Sequence, residues 1–547
     1  MMLVLCGAAC AENFVPEQPI MRINELRPGM SGYALTVLQG TEPVKMPIKI
    51  VSVVAQRPGI SMNEKILIKF TAKNKLAQGM SGSPVFVKNK LIGAIRSGWD
   101  NSDQSLAFVT PIESMMKIFN SEESEAKTQE LKRVNVSATG LGINSLSRLS
   151  KVLGVDVSQG ISSGTGQLPI KNEGFKPGEA VATLLAWGDV EIFAAGTVTA
   201  TAKDGKFLAF GHDFLNRGNS MYPAAKVFVH DTLDSYSFPL KIASPIFING
   251  IVTQDRESAV GGYVGVFPKS FSAELNFNNL DTNKRSKYNF RVVADEFLTA
   301  SLIEEIYKGL IIEAWGRKGQ GTMDVTLKIE GKSRENFSRR DIFFSGEDVV
   351  EEAFKDTAEM IGTYLTQPFA ETMPSNFVLS VEATEKPKVL RIEDIETVSK
   401  AKPGEEIEVK IKLRSWRAGI TEKIIKVKIP EKASGTLILI ARGGGVEPLP
   451  QIALEEGSKS IDSLERMFTE LKAADANNDL IVELNGDSLT EALKKALSDD
   501  DDGEAFPEEG EFLSETKERR LEDGTMKIFK SEYFVDGLMR RIINVEK

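Results

Sequence analysis

Short runs of apolar and β-branched residues, separated by turn residues, dominate the first half of the chain. Between residues 22 and 118 these runs are broken by Gly, Pro and Asn, a pattern that predicts β-strands. A second strand-rich block covers 136–268, where Asp204-Gly205 is a strong two-residue hairpin signal. The polar segment 119–135 between the blocks predicts a linker or an exposed helix.

The second half of the chain mixes helical and strand patterns. Apolar residues at three- and four-residue spacing add helices to the strands of 269–385 and predict an α+β domain. Strict alternation returns in 386–445 and is typical of a small β-sandwich. Residues 446–547 predict a C-terminal α/β region, with helices near 461–474 and 488–497 and a final hairpin. The pattern therefore predicts a mainly β, multidomain protein, since 547 residues exceed what one core can hold.

Composition narrows the choice of partners. A content of 41% hydrophobic and 26% charged residues is that of an ordinary globular protein. The net charge of −10 argues against nucleic acid or an anionic membrane surface as the main partner. Much of the negative charge lies in 498–512, where a solvated acidic loop is favoured over a divalent cation site. We expect no cofactor and no metal.

The first residues predict export. The short apolar stretch ends in Ala9-Cys10-Ala11, which fits a signal-peptidase cleavage pattern, so residues 1–11 form a predicted signal peptide. A basic start is missing, and a disordered N-terminus is the alternative. Both cysteines, Cys6 and Cys10, fall inside this segment, so the mature chain would have neither a disulfide nor a thiol nucleophile. No later apolar run reaches the length of a membrane span, and we expect a periplasmic or extracellular protein.

The stretch QGMSGSPVFVKNKLIGAI (78–95) places Ser81 between two glycines, directly before a strand-like run. Glycines permit backbone conformations that expose the Ser81 hydroxyl. The same turn can aim the N–H groups of Gly79 and Ser81 at one point, as an oxyanion hole requires. A plain β-turn is the alternative. The spacing is not Gly-x-Ser-x-Gly and no helix follows, which disfavours an α/β-hydrolase.

The chain has only two histidines, and general-base catalysis near neutral pH most often uses this residue. His212 follows an apolar strand and a glycine, where a side chain can be presented at a strand end. His230 lies within a strand pattern and is predicted to be a packed or surface residue. Asp213 and Asp255 are candidate carboxylates for orienting His212, and a carboxylate beside the imidazole would raise its pKa.

The serine stretch resembles the signature of the SpoIVB-type serine peptidases. The segments GTVTATAKDGKFLAFGHDFLNRG and FPLKIASPIFINGIVTQDRESAVGG are similar to the same family, and the resemblance covers residues 22–268, about half of the chain. It implies a chymotrypsin-like double β-barrel with the site between the barrels. Residues 22–118 would form the half with Ser81 as nucleophile, and 136–268 the half with His212 as general base.

Two features depart from this family. Ser81 precedes the histidine here, so the two halves are permuted, although geometry and not chain order defines a catalytic triad. The family acid lies shortly before the nucleophile, yet no aspartate precedes Asp100, and the matching stretch offers Ala72 and Asn74. Asp255 or Asp213 could then orient His212, and we take Asp255 as the candidate acid. A Ser-His dyad or an inactive enzyme are alternatives.

These residues lead to the hypothesis of an exported, cofactor-free SpoIVB-type serine endopeptidase. Ser81 would attack the peptide carbonyl, His212 would take and return the proton, and the Gly79 and Ser81 amides would hold the oxyanion. Its partners would be a protein or peptide substrate and an envelope protein bound by the C-terminal domains. An inactive peptidase-like scaffold acting as an envelope binding protein is the alternative. A structural envelope β-protein, with both motifs as mere turns, is the third.

Overall fold

The structure is a computed structural model in which strands dominate. It describes residues 13–54, 64–71, 75–99, 102–120, 134–162, 164, 166–235, 239–331, 336–446, 461–485 and 512–546. The predicted signal peptide, both cysteines, the helix near 488–497 and nearly all of the acidic run lie outside these ranges, as does most of the predicted linker. The chain divides into two units, Met1–Ala273 with Asn289–Leu310 and Glu274–Tyr288 with Ile311–Lys547.

The first predicted block forms a closed six-stranded barrel in the strand order β1-β2-β3-β6-β5-β4. Alternate residues of its strands point inward, so that Met46, Ile48 and Ile50 of one strand and Ile66 and Ile68 of the next fill the interior. The strands are β1 (Ser31–Thr36), β2 (Val44–Val54), β3 (Lys65–Phe70), β4 (Pro84–Val87), β5 (Lys90–Ser97) and β6 (Leu106–Pro111).

A second ring of strands forms within the 136–268 block. Its pairings run β9-β10-β11-β14-β13-β12 and close where β12 pairs back with β9. Counted along the chain, both rings therefore have the strand order 1-2-3-6-5-4. The strands are β9 (Ala180–Gly188), β10 (Glu191–Thr201), β11 (Lys206–Ala209), β12 (Gly218–Leu233), β13 (Leu240–Arg256) and β14 (Ala259–Val264). The predicted double β-barrel is confirmed.

Other elements surround the second ring in the same unit. Two short strands add to the outer edge of β10: β7 (Asn135–Thr139) pairs with β10, and β8 (Asp156–Gln159) pairs with β7 in parallel. The strands of the second ring thus cover only 180–264 of the barrel half that the sequence predicts over 136–268. The α-helices of this part of the chain are α1 (Ile112–Met116), α2 (Ile143–Leu153) and α3 (Thr299–Trp315). The last residues of α3 belong to the second unit.

The second unit contains an α+β portion and a β-sandwich. In the first portion, strands β18, β17, β19 and β15 lie side by side in this order in the sheet, together with one long helix. Its elements are β15 (Ser270–Asn279), β16 (Lys284–Val293), β17 (Gly321–Glu330), β18 (Phe337–Ser345), α4 (Val349–Thr366) and β19 (Asn376–Thr384), of which β15 and β16 are shared with the first unit's residues.

The sandwich packs a four-stranded sheet (β23-β22-β20-β27) and a five-stranded sheet (β21-β28-β24-β25-β26) around one apolar core. Three strands of the five-stranded sheet, β25, β26 and β28, lie after the predicted range 386–445. The predicted final hairpin is absent, because β26 pairs with β25 and β28 pairs with β24. The elements are β20 (Val389–Glu396), β21 (Lys400–Ala401), β22 (Glu406–Ser415), β23 (Ile420–Lys428), β24 (Gly435–Gly443), α5 (Leu464–Ala473), β25 (Asp479–Asn485), α6 (Leu513–Glu522), β26 (Met526–Lys530), β27 (Phe534–Asp536) and β28 (Leu538–Val545).

None of the helices in the described ranges is both long enough and apolar enough to cross a bilayer.

Candidate functional site

Ser81 lies in the turn between the third and fourth strands of the first barrel. Gly79 and Gly82 on either side of it have φ values of +88° and +90°, which a residue with a side chain rarely adopts. A Cβ added at Gly82 would lie 2.0 Å from the carbonyl oxygen of Thr197 and 2.3 Å from the amide nitrogen of Phe210. Gly82 is therefore required both by its backbone conformation and by the close approach of the second barrel.

The hydrogen bonds of the turn leave two donors unused. The N–H groups of Met80, Gly82 and Ser83 donate to backbone carbonyls of Ala77, Ile95 and Met80. The N–H groups of Gly79 and Ser81 have no hydrogen-bond partner in the part of the chain that the structure describes. These are the two donors that the sequence predicts for an oxyanion hole. Within the described ranges, the one hydrogen-bond contact of the Ser81 hydroxyl is a long one, 3.5 Å from the carbonyl oxygen of Arg96.

His212 lies in the equivalent loop of the second barrel, between its third and fourth strands. The residue pair before it, Phe210 and Gly211, has φ values of +69° and +67°. A positive φ at a phenylalanine is unusual and stores backbone strain next to the histidine. The loop packs against the first barrel, since Thr110 Oγ1 donates to the Gly211 carbonyl at 2.6 Å.

Ser81 and His212 line the same cleft. Gly79 lies on its wall as well. The remaining wall is formed by residues of the serine turn, of β7 and the residue before it, of β10, of the histidine loop and of the first part of β13: Gln78, Val134, Asn135, Ser137, Ala195, Phe210, Leu240 and Lys241. The structure thus places in one cleft the predicted serine, the predicted histidine and both residues, Gly79 and Ser81, whose N–H groups are the predicted oxyanion donors.

The imidazole of His212 is oriented by its own chain. Its Nδ1 lies in hydrogen-bond contact with the backbone carbonyl oxygen of Asp213. A carbonyl oxygen only accepts, so Nδ1 carries the proton in the neutral ring and Nε2 is the basic nitrogen. This carbonyl was not among the groups that the sequence suggested, because a side-chain pattern does not reveal backbone acceptors.

Asp255, the predicted triad acid, is fully buried at the end of β13. Its carboxylate accepts from the backbone N–H groups of Phe214 (2.6 Å), Leu215 (2.8 Å) and Arg217 (3.1 Å). Burial raises the pKa of this carboxyl, and the three N–H donors oppose that rise. Asp255 therefore holds the loop that follows His212, and it is not among the cleft-lining residues.

His230 lies outside the residues that line the cleft. Its Nε2 contacts the Ser244 hydroxyl at 2.9 Å, and its ring packs edge-on against Phe228. This partly buried, paired histidine fits the sequence prediction of a packed or surface residue.

The sequence did not single out Lys241, which lines the cleft and is almost completely buried. Its Nζ donates to the hydroxyl of Thr36 at 2.8 Å and contacts that of Thr197 at 3.4 Å. The available signal was a lysine inside the mostly apolar run PLKIASPIFI. Its two threonine partners come from distant strands and could not be identified from sequence.

No group of three or more His, Cys, Asp and Glu residues that could hold a metal ion is found in the described ranges. Comparison with protein-family models, with curated proteins and with solved structures finds no match to this chain.

Proposed function

We propose that the protein is a serine endopeptidase whose centre is Ser81 and His212. One observation carries the proposal: the two residues line one cleft, although they belong to different barrels. Each occupies the loop between the third and fourth strands of its own ring. The resemblance of residues 78–95 and of the Gly211-His212 segment to SpoIVB-type peptidases supports the same reaction.

The proposed reaction uses only groups of this chain. Ser81 Oγ attacks the substrate carbonyl carbon while His212 Nε2 takes the hydroxyl proton. The developing oxyanion accepts hydrogen bonds from the N–H groups of Gly79 and Ser81. His212 then gives the proton to the leaving amine, and an acyl-enzyme remains. Water, deprotonated by the same histidine, releases the acid and restores the Ser81 hydroxyl.

In this proposal Asp255 is a positioning residue. Its three backbone hydrogen bonds fix residues 214–217, and the segment that carries His212 leads directly into them. The Asp213 carbonyl at Nδ1 takes the place that a carboxylate has in a Ser-His-Asp triad. It selects the tautomer but adds no negative charge to stabilise the imidazolium.

The natural substrate class is a protein or peptide chain, and we place the enzyme outside the cytoplasm on the basis of the predicted signal peptide. The β-sandwich would bind an envelope protein. These assignments rest on the sequence.

An inactive scaffold is the second candidate function. The observation that favours it is the neutral carbonyl at Nδ1 of His212, because a catalytic histidine gains from a carboxylate in this position. The binding would then reside in the β-sandwich. Reactivity of the serine separates the two functions.

The test is labelling of the purified full chain with a fluorophosphonate, which reacts with activated serines irrespective of substrate. We expect labelling of the wild type and of Ser83→Ala, a control serine in the same turn, and loss of labelling in Ser81→Ala and His212→Ala. Unlabelled but folded wild type would overturn the proposal in favour of the scaffold. Labelling that persists in Ser81→Ala would also overturn it.

A further inference from the structure

The side chain of Lys241 is buried without a carboxylate partner. Its Nζ has two threonine hydroxyls as partners, and no acidic group pairs with it among the described residues. Burying an uncompensated ammonium group is costly, and a buried titratable group that lines a cleft is a candidate for a functional role. Loss of solvation lowers the pKa of Lys241 to about 7.

Lys241 contacts both peptide groups that flank Gly79. Its backbone N–H donates to the Gln78 carbonyl at 3.0 Å. Because a trans peptide is planar, this bond turns the N–H of Gly79 to the opposite side, away from Lys241. The side chain also passes close to Gly79, since the Cδ of Lys241 lies 3.2 Å from the position of a Cβ at Gly79.

Lys241 contacts the second peptide group, the one between Gly79 and Met80, indirectly through Thr197. Lys241 Nζ contacts the Thr197 hydroxyl, and that hydroxyl donates to the Gly79 carbonyl at 3.0 Å. The opposite end of the same peptide is held as well, because the Met80 N–H donates to the Ala77 carbonyl at 3.0 Å. The peptide therefore cannot rotate unless one of these bonds breaks.

We propose that Lys241 is a positioning residue for the serine turn, whose ammonium group polarises the Thr197 hydroxyl and places positive charge next to Gly79, where the oxyanion forms. A donor that is itself hydrogen-bonded to a cation binds its acceptor more strongly. The inference rests on the proposed function of Ser81, since it describes how the ionisation of one lysine tunes that serine.

Other titratable groups lie on the elements packed against Lys241, and their titration must be separated from that of the lysine. On the strands these groups are Tyr33 of β1, Glu191 of β10, and Lys226, His230 and Asp231 of β12, and His212 lies in the loop that shares the cleft. Loss of solvation is the sole cause of the lowered pKa of Lys241, so none of them sets it.

The expected pH profile has two limbs. The labelling rate first rises with pH, because only the unprotonated imidazole of His212 can accept the proton of Ser81. It falls again as the Lys241 ammonium group loses its proton. In Lys241→Met the maximum rate should drop roughly tenfold, less than the 10²–10³-fold cost of removing an oxyanion donor directly. The falling limb should disappear.

The experiment measures the fluorophosphonate labelling rate of the full chain from pH 5.5 to 9, together with amide hydrogen exchange of residues 76–87, for which Lys241→Met should lose protection. The matched control is Lys206→Met, a buried lysine of the same barrel whose Nζ pairs with Asp204 at 2.7 Å. Lys206→Met should keep both limbs of the pH profile of labelling and the protection of residues 76–87 against hydrogen exchange. If Lys241→Met does not fold, Thr197→Val replaces it as the test variant. It retains the lysine but removes the hydroxyl that links Lys241 to the Gly79 carbonyl, and it should lower the maximum labelling rate in the same way.

The outcomes separate this inference from the proposed function. Wild type that is not labelled at all would overturn the proposed function, whatever exchange shows. Labelled wild type with the same two-limbed profile in Lys241→Met would overturn the role of Lys241 and leave the serine centre intact. A pH profile altered equally in Lys206→Met would also overturn the role of Lys241, because the loss of any buried lysine would then have the same effect.

Discussion

At the scale of single residues, Asp341 on β18 shows how burial and pairing compete. The carboxylate accepts the backbone N–H groups of Asn477 and Ile342 and pairs with Arg339 at 3.3 Å. Each of these contacts favours the charged form. Burial outweighs them and raises the pKa of Asp341 to about 6. A contact that looks stabilising therefore accompanies a carboxylate that is costly to ionise.

Stability should depend on pH through this residue. The folded-state pKa of Asp341 lies above its unfolded value, so its contribution is fully present below about pH 4 and is lost as the pH rises to about 6. The difference in unfolding free energy between wild type and Asp341→Asn should fall by up to about 3 kcal/mol across this window. Urea unfolding at pH 4 and 6.5 measures it. A difference that is constant with pH would show that the carboxyl titrates normally.

At the scale of elements, the serine turn depends on space as well as on conformation. Gly29 provides the comparison, because its φ of +91° matches that of Gly82 while a Cβ there would meet nothing within 4 Å. The two glycines thus separate the cost of a positive φ from the cost of a collision with the second barrel.

We expect Gly29→Ala to cost roughly 1–2 kcal/mol, the penalty for a left-handed residue with a Cβ. Gly82→Ala should cost about 4 kcal/mol or more, because the backbone of Thr197 and Phe210 must also move, and it should abolish labelling of Ser81. Urea unfolding together with labelling of both variants tests this. Equal costs would mean that the barrels can separate slightly at this point.

The local pattern predicted individual strands well and their partners less well. Alternation in β2 and β3 revealed the inward faces of the first barrel, because it depends only on neighbouring residues. The pairing of β12 with β9, which closes the second ring, joins strands far apart in sequence. The predicted hairpin of β26 and β28 is wrong for the same reason, since β24 and β25 lie between them in the sheet.

The candidate site was predictable to the extent that it consists of motifs. Ser81, His212 and the Gly79 amide could be identified from glycine-flanked positions, and all three residues line one cleft. Lys241 was not identified, because its burial and its contact with Thr36 and Thr197 arise only when three strands meet. The Asp213 carbonyl leaves no trace in a side-chain pattern.

At the scale of the whole molecule, the first unit is discontinuous in sequence. It takes back Asn289–Leu310 after the chain has entered the second unit. Within this segment Phe290–Val292 pair with β9, and Glu305 on α3 forms an ion pair with Arg148 on α2 at 2.5 Å. A domain boundary at 268, as the sequence predicts, therefore omits part of the first unit.

A chain that ends at residue 273 should be much less stable than one that ends at residue 315, which retains all of α3. We expect its melting temperature to be lower by at least about 10 °C, at about 2–4 °C per kcal/mol for a domain of this size. Thermal unfolding followed by circular dichroism measures the difference, with binding of a hydrophobic dye as a check for incomplete packing. Equal melting temperatures would show that 289–310 contributes nothing to the first unit.

The contacts of the serine turn also have a consequence for timing. The carbonyl of Ser81 accepts from Thr197, the carbonyl of Gln78 accepts from Lys241, and Gly82 faces Phe210. A ribosome makes all three partners only after the turn itself, because synthesis runs from the N-terminus. The nascent first barrel therefore carries a serine whose surroundings do not yet exist. Completion of the second barrel, and not the appearance of the serine, is the step that assembles the cleft.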